Sequence, residues 1–277
     1  MKNIKVYKDT VNQRPKKIEM VENRLKEYRK NSYWTLNDDS TFPEQMYFIF
    51  KEYLKRKKSK DNKIDYLDVG AAEGVYISAV TKIFNDSKVT IIAFEPEDER
   101  LEVLLENLNS LCASTHDVEV YQNIVAAETS NSFILREFTT SDFTKPAGSS
   151  TIVKWDKDNR VIVENKYQSI KLDDFVDKIE NLDCIKIDVE GGELEVLKGS
   201  LKLLEKTKPV IFLELHCGER FGSLTIDSVQ KVLDSGLQKY KFKFLSEHYE
   251  NKLDKFGNIK KETILEYYIL HPVSEDN

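Results

Sequence analysis

A chain of 277 residues, 40% hydrophobic and 32% charged, is long enough for one large domain or two small ones. Its composition is ordinary and globular rather than disordered. The net charge of −6 counts against a general nucleic-acid binder, which would show a basic excess or stripe. The lack of any run of about 18 apolar residues excludes a membrane-spanning helix.

The charged N-terminus lacks the apolar stretch of a signal peptide. Cys112, Cys184 and Cys217 are odd in number and lack metal-type spacing, so a reducing cytoplasm is the expected setting. Ile18, Val21, Leu25 and Tyr28 recur at helical spacing behind Pro15 and predict a helix over 17–31. Thr41-Phe-Pro-Glu44 reads as a capping box with an early proline. It opens a second helix, 43–57, whose apolar face includes Met46, Tyr47, Phe50, Tyr53 and Leu54. The basic run from Lys55 to Lys60 reads as a solvated helix end and linker. Residues 1–60 are thus expected as a helical extension over a main domain of residues 61–277.

From Ile64 onward, short apolar strands alternate with amphipathic helices. Strands are predicted at 64–69, 88–94, 117–124, 183–189 and 208–215, and helices at 74–84, 98–110, 192–205 and 225–235. This alternation predicts a doubly wound, mostly parallel α/β sheet of Rossmann-like form. Segments 237–247 and 262–271 predict a C-terminal antiparallel hairpin. Residues 128–170 interrupt the alternation as an insertion. Within it, Phe133–Phe138 and Arg160–Glu164 alternate like exposed strands around a polar loop, 139–150, of a length usual for functional lids.

The first strand runs into Asp68-Val-Gly70-Ala71-Ala72-Glu73-Gly74. The glycines allow a tight turn and a close backbone approach to a ligand, at the carboxyl end of a strand where open α/β sheets bind ligands. The spacing is not the G-x-G-x-x-G of dinucleotide sites, and Asp68 and Glu73 would repel a phosphate. A ligand with an ammonium and a sulfonium, S-adenosylmethionine, fits these charges better than a nicotinamide dinucleotide. Glu95-Pro96 at the tip of the second strand is placed for the hydroxyls of a ribose. Asn123, Ile124 and Val125 are placed to hold the adenine.

The stretch Cys184–Glu193 carries Lys186, Asp188 and Glu190 on one face of a strand that should be apolar on both. Glu214 and His216 share a face at the end of the next strand. Such groups are costly unless paired or functional. Lys186 reads as a structural partner, and Asp188, Glu190, Glu214 and His216 read as the catalytic end. His216 is the candidate general base for methyl transfer to a hydroxyl. A divalent metal held by the carboxylates and the imidazole is the less favoured alternative. The other histidines are assigned no role.

The order D-V-G-x-x-x-G, F-E-P, L-D-D-F (172–175), I-K-I-D-V-E-G-G-E and E-L-H resembles the FkbM family of methyltransferases over about residues 64–216. The resemblance implies a Rossmann-like sheet, S-adenosylmethionine as donor, and O-methylation of a hydroxyl on a sugar, polyketide or similar small molecule. It also implies that Asp68, Gly70, Gly74 and Glu95 serve the cofactor, and that Asp188 and Glu190 border the reaction site. Ala72 and Glu73 stand where members often carry Asn and Ile, so the first loop is more acidic here. A small-molecule acceptor, probed first among carbohydrates and secondary metabolites, is the expected partner; a homodimer is the assembly to test. A nicotinamide-dependent oxidoreductase and a non-catalytic cofactor-binding module are the competing classes.

Overall fold

The computed structural model describes residues 3–9, 26, 29, 45–112, 115–139, 146–150, 161–218, 221–253 and 259–273. The predicted helix 17–31 lies outside them apart from residues 26 and 29. The chain opens with β1 (Asn3–Tyr7), a strand that the helical reading of residues 1–60 did not anticipate, followed by α1 (Gln45–Lys60). Then come β2 (Lys63–Val69), α2 (Val75–Ile83), β3 (Lys88–Phe94), α3 (Asp98–Leu111) and β4 (His116–Tyr121). The insertion supplies β5 (Ile124–Val125), β6 (Ser130–Thr139), β7 (Pro146–Ser150) and β8 (Val161–Ile170), closed by a 3-10 turn at Leu172–Phe175. The chain continues with β9 (Cys184–Ile187), α4 (Glu193–Lys198), α5 (Leu201–Thr207), β10 (Val210–His216) and α6 (Ile226–Asp234). The antiparallel pair β11 (Tyr240–Leu253) and β12 (Ile259–Pro272) follows.

Eight strands form the main sheet in the order β1-β4-β3-β2-β9-β10-β12-β11. All neighbours from β1 to β10 are parallel, and β12 inserts antiparallel between β10 and β11. The fold is therefore the Rossmann-like doubly wound sheet with a terminal hairpin that the alternation predicts. Residues of β5, β6, β7 and β8 pair into a separate four-stranded sheet. The strand predicted at 117–124 accordingly splits, because the chain leaves the main sheet at Gln122 and enters the small one at Ile124.

Strand alternation sends side chains to two apolar layers. One layer joins Tyr66 and Ile91 to Met46, Phe50 and Leu54 of α1, Ile77 of α2 and Leu104 of α3. Helix α1 is therefore part of the main core, and Lys57 of its basic run is tied to Asp183 at 2.7 Å. The other layer joins Leu67, Ile185 and Leu213 to Leu197, Leu204 and Leu233 of α4, α5 and α6. The helix predicted over 192–205 breaks at Gly199–Ser200. There Asp173 N–H donates to Gly199 O at 2.8 Å, and Asp173 Oδ1 accepts from Leu203 N–H at 3.0 Å. This is what the L-D-D-F element does: it docks the insertion onto the α4–α5 corner. No helix among the described residues is long and apolar enough to cross a membrane.

Candidate active site

The strand order reverses between β2 and β9, so the chains leaving their carboxyl ends run to helices on opposite faces and leave a crevice, the usual ligand position in such sheets. Asp188 N–H donates to Val69 O at 3.1 Å and holds the two tips together. Gly70 turns at φ +80°, and a Cβ there would lie 1.8 Å from Asp188 O. Only glycine fits that contact. The crevice opens into a cleft of about 710 Å³, its open mouth included.

Gly70, Glu95, Pro96, Asn123, Ile124 and Val125 line this cleft, as do Asp188 and Glu190. Its remaining wall includes Arg100 of α3, Glu195 of α4, and Phe133 and Leu135 of β6. The small sheet is thus a wall of the site. Phe133 and Leu135 share one face of β6 by alternation; that pattern was visible in the sequence, but not that the face meets the cleft.

Glu95 is 4% exposed. Its Oε2 accepts from Ala72 N–H and its Oε1 from Glu97 N–H, both at 2.9 Å. A carboxylate has about four acceptor positions, so Glu95 can hold the loop and still accept two ligand hydroxyls. Burial pushes its carboxyl up to about 7, against the pull of Arg100. Ala71 is buried and donates to Phe94 O. The Glu73 carbonyl accepts from Asn107 Nδ2 at 2.8 Å, and Gly74 packs against Leu104. Ala71, Ala72, Glu73 and Gly74 therefore shape the turn without lining the cleft.

Asp68 lies behind the cleft. It alternates onto the face opposite Val69, is fully buried, and has Lys186 Nζ 3.6 Å from its Oδ1. Burial pushes its carboxyl up to about 6, with the Lys186 charge pulling the other way. Lys186 also meets Asp188 Oδ2 at 3.2 Å and donates to Gly70 O at 2.7 Å. Burial disfavours its charge, but Asp188, Asp68 and Glu214 overcome this and raise its pKa. Lys186 is the structural partner expected of it, and through Gly70 it fixes the cleft floor.

Glu214 and His216 are buried at the end of β10, behind Asp188 and Glu190. His216 Nδ1 lies 2.9 Å from Glu193 Oε1, and Nε2 lies 3.3 Å from Glu190 Oε2 and 4.0 Å from Glu214 Oε1. Burial opposes the charge of the ring, yet Glu193 and Glu190 hold its pKa well above the usual histidine value. Both nitrogens thus face carboxylates, which is the situation of an imidazolium rather than of a free base. Glu193 was missed by the sequence reading; its place three residues after Glu190, in the first turn of a helix, was the available signal.

Asp188, Glu214 and His216 offer donor atoms that all lie within 4.8 Å of one another, a set of the kind that holds a divalent cation. Lys186 beside Asp188 already supplies positive charge there. Along the cleft, Glu95, Asp188, Glu190 and Glu195 outnumber Arg100, the one cationic side chain among the described lining residues. That balance suits a ligand with an ammonium and a sulfonium and opposes a diphosphate.

Fold and cleft define a Rossmann-like α/β protein of the methyltransferase type. Residues 68–248 match the methyltransferase FkbM domain, and the chain belongs to that family. Methyl transfer is therefore its activity class, and the nicotinamide alternative is set aside. Among solved structures, an FkbM methyltransferase from Methylobacillus flagellatus KT is 16% identical, with a TM-score of 0.44, over 90% of this chain and 57% of that one. A SAM-dependent methyltransferase from Aquifex aeolicus is 13% identical, with a TM-score of 0.44, over 89% of this chain and 96% of that one. The precorrin-6y C5,15-methyltransferase of Geobacter metallireducens GS-15 is 13% identical, with a TM-score of 0.37, over 80% and 87%. No curated protein matches in sequence.

Proposed function

We propose that the protein is an S-adenosylmethionine-dependent O-methyltransferase that acts on a hydroxyl of a sugar or another small molecule. The observation that carries this is one cleft at the β2/β9 switch point lined by Glu95, Asp188 and Glu190. Glu95 would accept the ribose hydroxyls. The Asn123–Val125 backbone, with Phe133 and Leu135, would enclose the adenine. Asp188, at the tip of β9, would hold the ammonium of the amino-acid part. The donor, when bound, supplies an electrophilic methyl group. Transfer then depends on holding the acceptor hydroxyl in line with it.

The acceptor's proton must leave as the new C–O bond forms. Glu190 Oε2 and His216 Nε2 lie 3.3 Å apart. Because the ring is held as an imidazolium between carboxylates, the Glu190 carboxylate is the member on the cleft side that would take this proton. His216 would then position and stabilise it. Glu214 completes the charge around the ring. The acidic cleft and the net charge of −6 favour a small acceptor over nucleic acid. The odd count of three cysteines would accord with a cytoplasmic setting.

Calorimetry with S-adenosylmethionine and with NAD, followed by labelled-donor assays on a panel of sugars and polyols, tests this reading. Tight donor binding and label on a hydroxyl are expected. Preference for NAD, or absence of donor binding, would overturn it.

A further inference from the structure

Glu193 is wholly buried at the start of α4, immediately behind the cleft. One of its carboxylate oxygens, Oε1, gathers three donors. Gly191 N–H donates to it at 3.0 Å, Val189 N–H at 3.4 Å, and His216 Nδ1–H at 2.9 Å. Its other oxygen, Oε2, is buried with no hydrogen-bond partner among the described residues. A carboxylate stripped of water this completely interacts strongly with whatever charge and N–H groups it keeps.

The turn it gathers is an improbable one. Glu190 has φ +52° and Gly191 φ +101°. A non-glycine residue in the left-handed region is strained, and surrounding contacts must offset that strain. The contacts here are the two N–H groups flanking Glu190, both turned inward to Glu193. Their capture leaves the Glu190 side chain facing the cleft, with Oε2 3.3 Å from His216 Nε2. Phe221 closes the arrangement from the other side. It packs edge-on to the His216 ring at 4.8 Å, and a Cβ on Gly191 would meet its Cδ1 at 3.0 Å.

We propose that Glu193 is the positioning residue of the methyl-transfer site: one buried carboxylate folds the Val189–Gly192 turn and fixes the His216 ring, and so presents Asp188 and Glu190 to donor and acceptor. Glu193 touches neither ligand. The inference rests on the reading of this cleft end as the reaction site.

The test compares the full-length wild type with Glu193→Gln, Glu193→Ala and His216→Ala. Two measurements are made on each: S-adenosylmethionine affinity by calorimetry, and the low-field proton resonance of a histidine Nδ1–H bonded to a carboxylate. The wild type shows that resonance, and His216→Ala assigns it by losing it. Glutamine keeps an oxygen for the three donors, so Glu193→Gln retains donor affinity within about threefold while the resonance moves upfield, because a neutral acceptor binds the proton less strongly. Glu193→Ala frees the turn, loses the resonance and weakens donor binding by about tenfold or more, the effect of losing one hydrogen bond to a charged group. Should Glu193→Ala fail to fold, Glu193→Asp, one methylene short of its partners, replaces it with the same expectations. Wild-type affinity together with an unchanged resonance in the alanine or aspartate variant would overturn the proposal. A wild type that does not bind the donor would defeat the functional reading alone, since the resonance still decides whether Glu193 holds His216.

Discussion

Glu95 at the tip of β3 and Ala72 in the turn after β2 are joined by a 2.9 Å hydrogen bond from backbone amide to carboxylate. The carboxylate read as the ribose ligand is therefore also the brace of the first loop, and the two roles share one protonation state.

Replacing Glu95 by Gln should weaken S-adenosylmethionine binding about tenfold or more, the worth of a hydrogen bond to a charged acceptor. The loop should survive, since Gln can still accept from Ala72. With the carboxyl pushed up to about 7 by burial, wild-type affinity should fall as the pH drops from 8 to 6, by at most about tenfold per unit. Stability of the empty protein should run the other way. A carboxyl whose folded pKa lies above its unfolded one contributes most below the unfolded value, and that contribution is lost as pH rises through about 7. Calorimetry and urea unfolding at each pH check both slopes, and Glu95→Gln should flatten both.

Gly70→Ala puts a methyl 1.8 Å from Asp188 O at φ +80°. Backbone on both sides must move apart at the tips of two central strands. A loss of more than about 3 kcal/mol in chemical unfolding is expected, together with loss of donor binding. A stable variant with normal affinity would show that the β2 and β9 tips are not held in the register described.

Lys186→Met removes the cation that serves Asp68 and Asp188 and the donor to Gly70 O. Breaking a buried pair on one side costs about 3–5 kcal/mol, because a buried charge is left alone. Neutralising Asp68 as well, in Asp68→Asn/Lys186→Met, should recover part of that loss, and urea unfolding of the single and double variants gives the coupling.

Chelation should leave donor binding and turnover unchanged, since Lys186 supplies a cation at Asp188. Activity lost in EDTA and restored by magnesium or manganese would instead give Asp188, Glu214 and His216 to a metal.

The alternation of apolar strands and amphipathic helices was enough to predict a mostly parallel core. Gly70, Glu95, Asp188 and Glu190, which line the cleft, stand out in the sequence because charge and glycine sit where a buried strand end should be apolar. These are local signals, set by period and by the cost of desolvating a charge. The depth of each group was decided elsewhere. Asp68 and Glu95 both end strands with a carboxylate. Yet Asp68 lies level with Ala93 and packs onto Lys186 within the sheet, while Glu95, two residues further along the neighbouring strand, reaches the cleft. His216 reads in sequence as the candidate general base, and only the packing of α4 against β10 brings Glu193 to its ring. Likewise the edge strand β1, and the wall formed by Phe133 and Leu135, depend on pairing between segments far apart in sequence. Periodicity reports which residues share a face; which face meets which, and how many carboxylates share one histidine, is settled by the long-range packing of strands and helices.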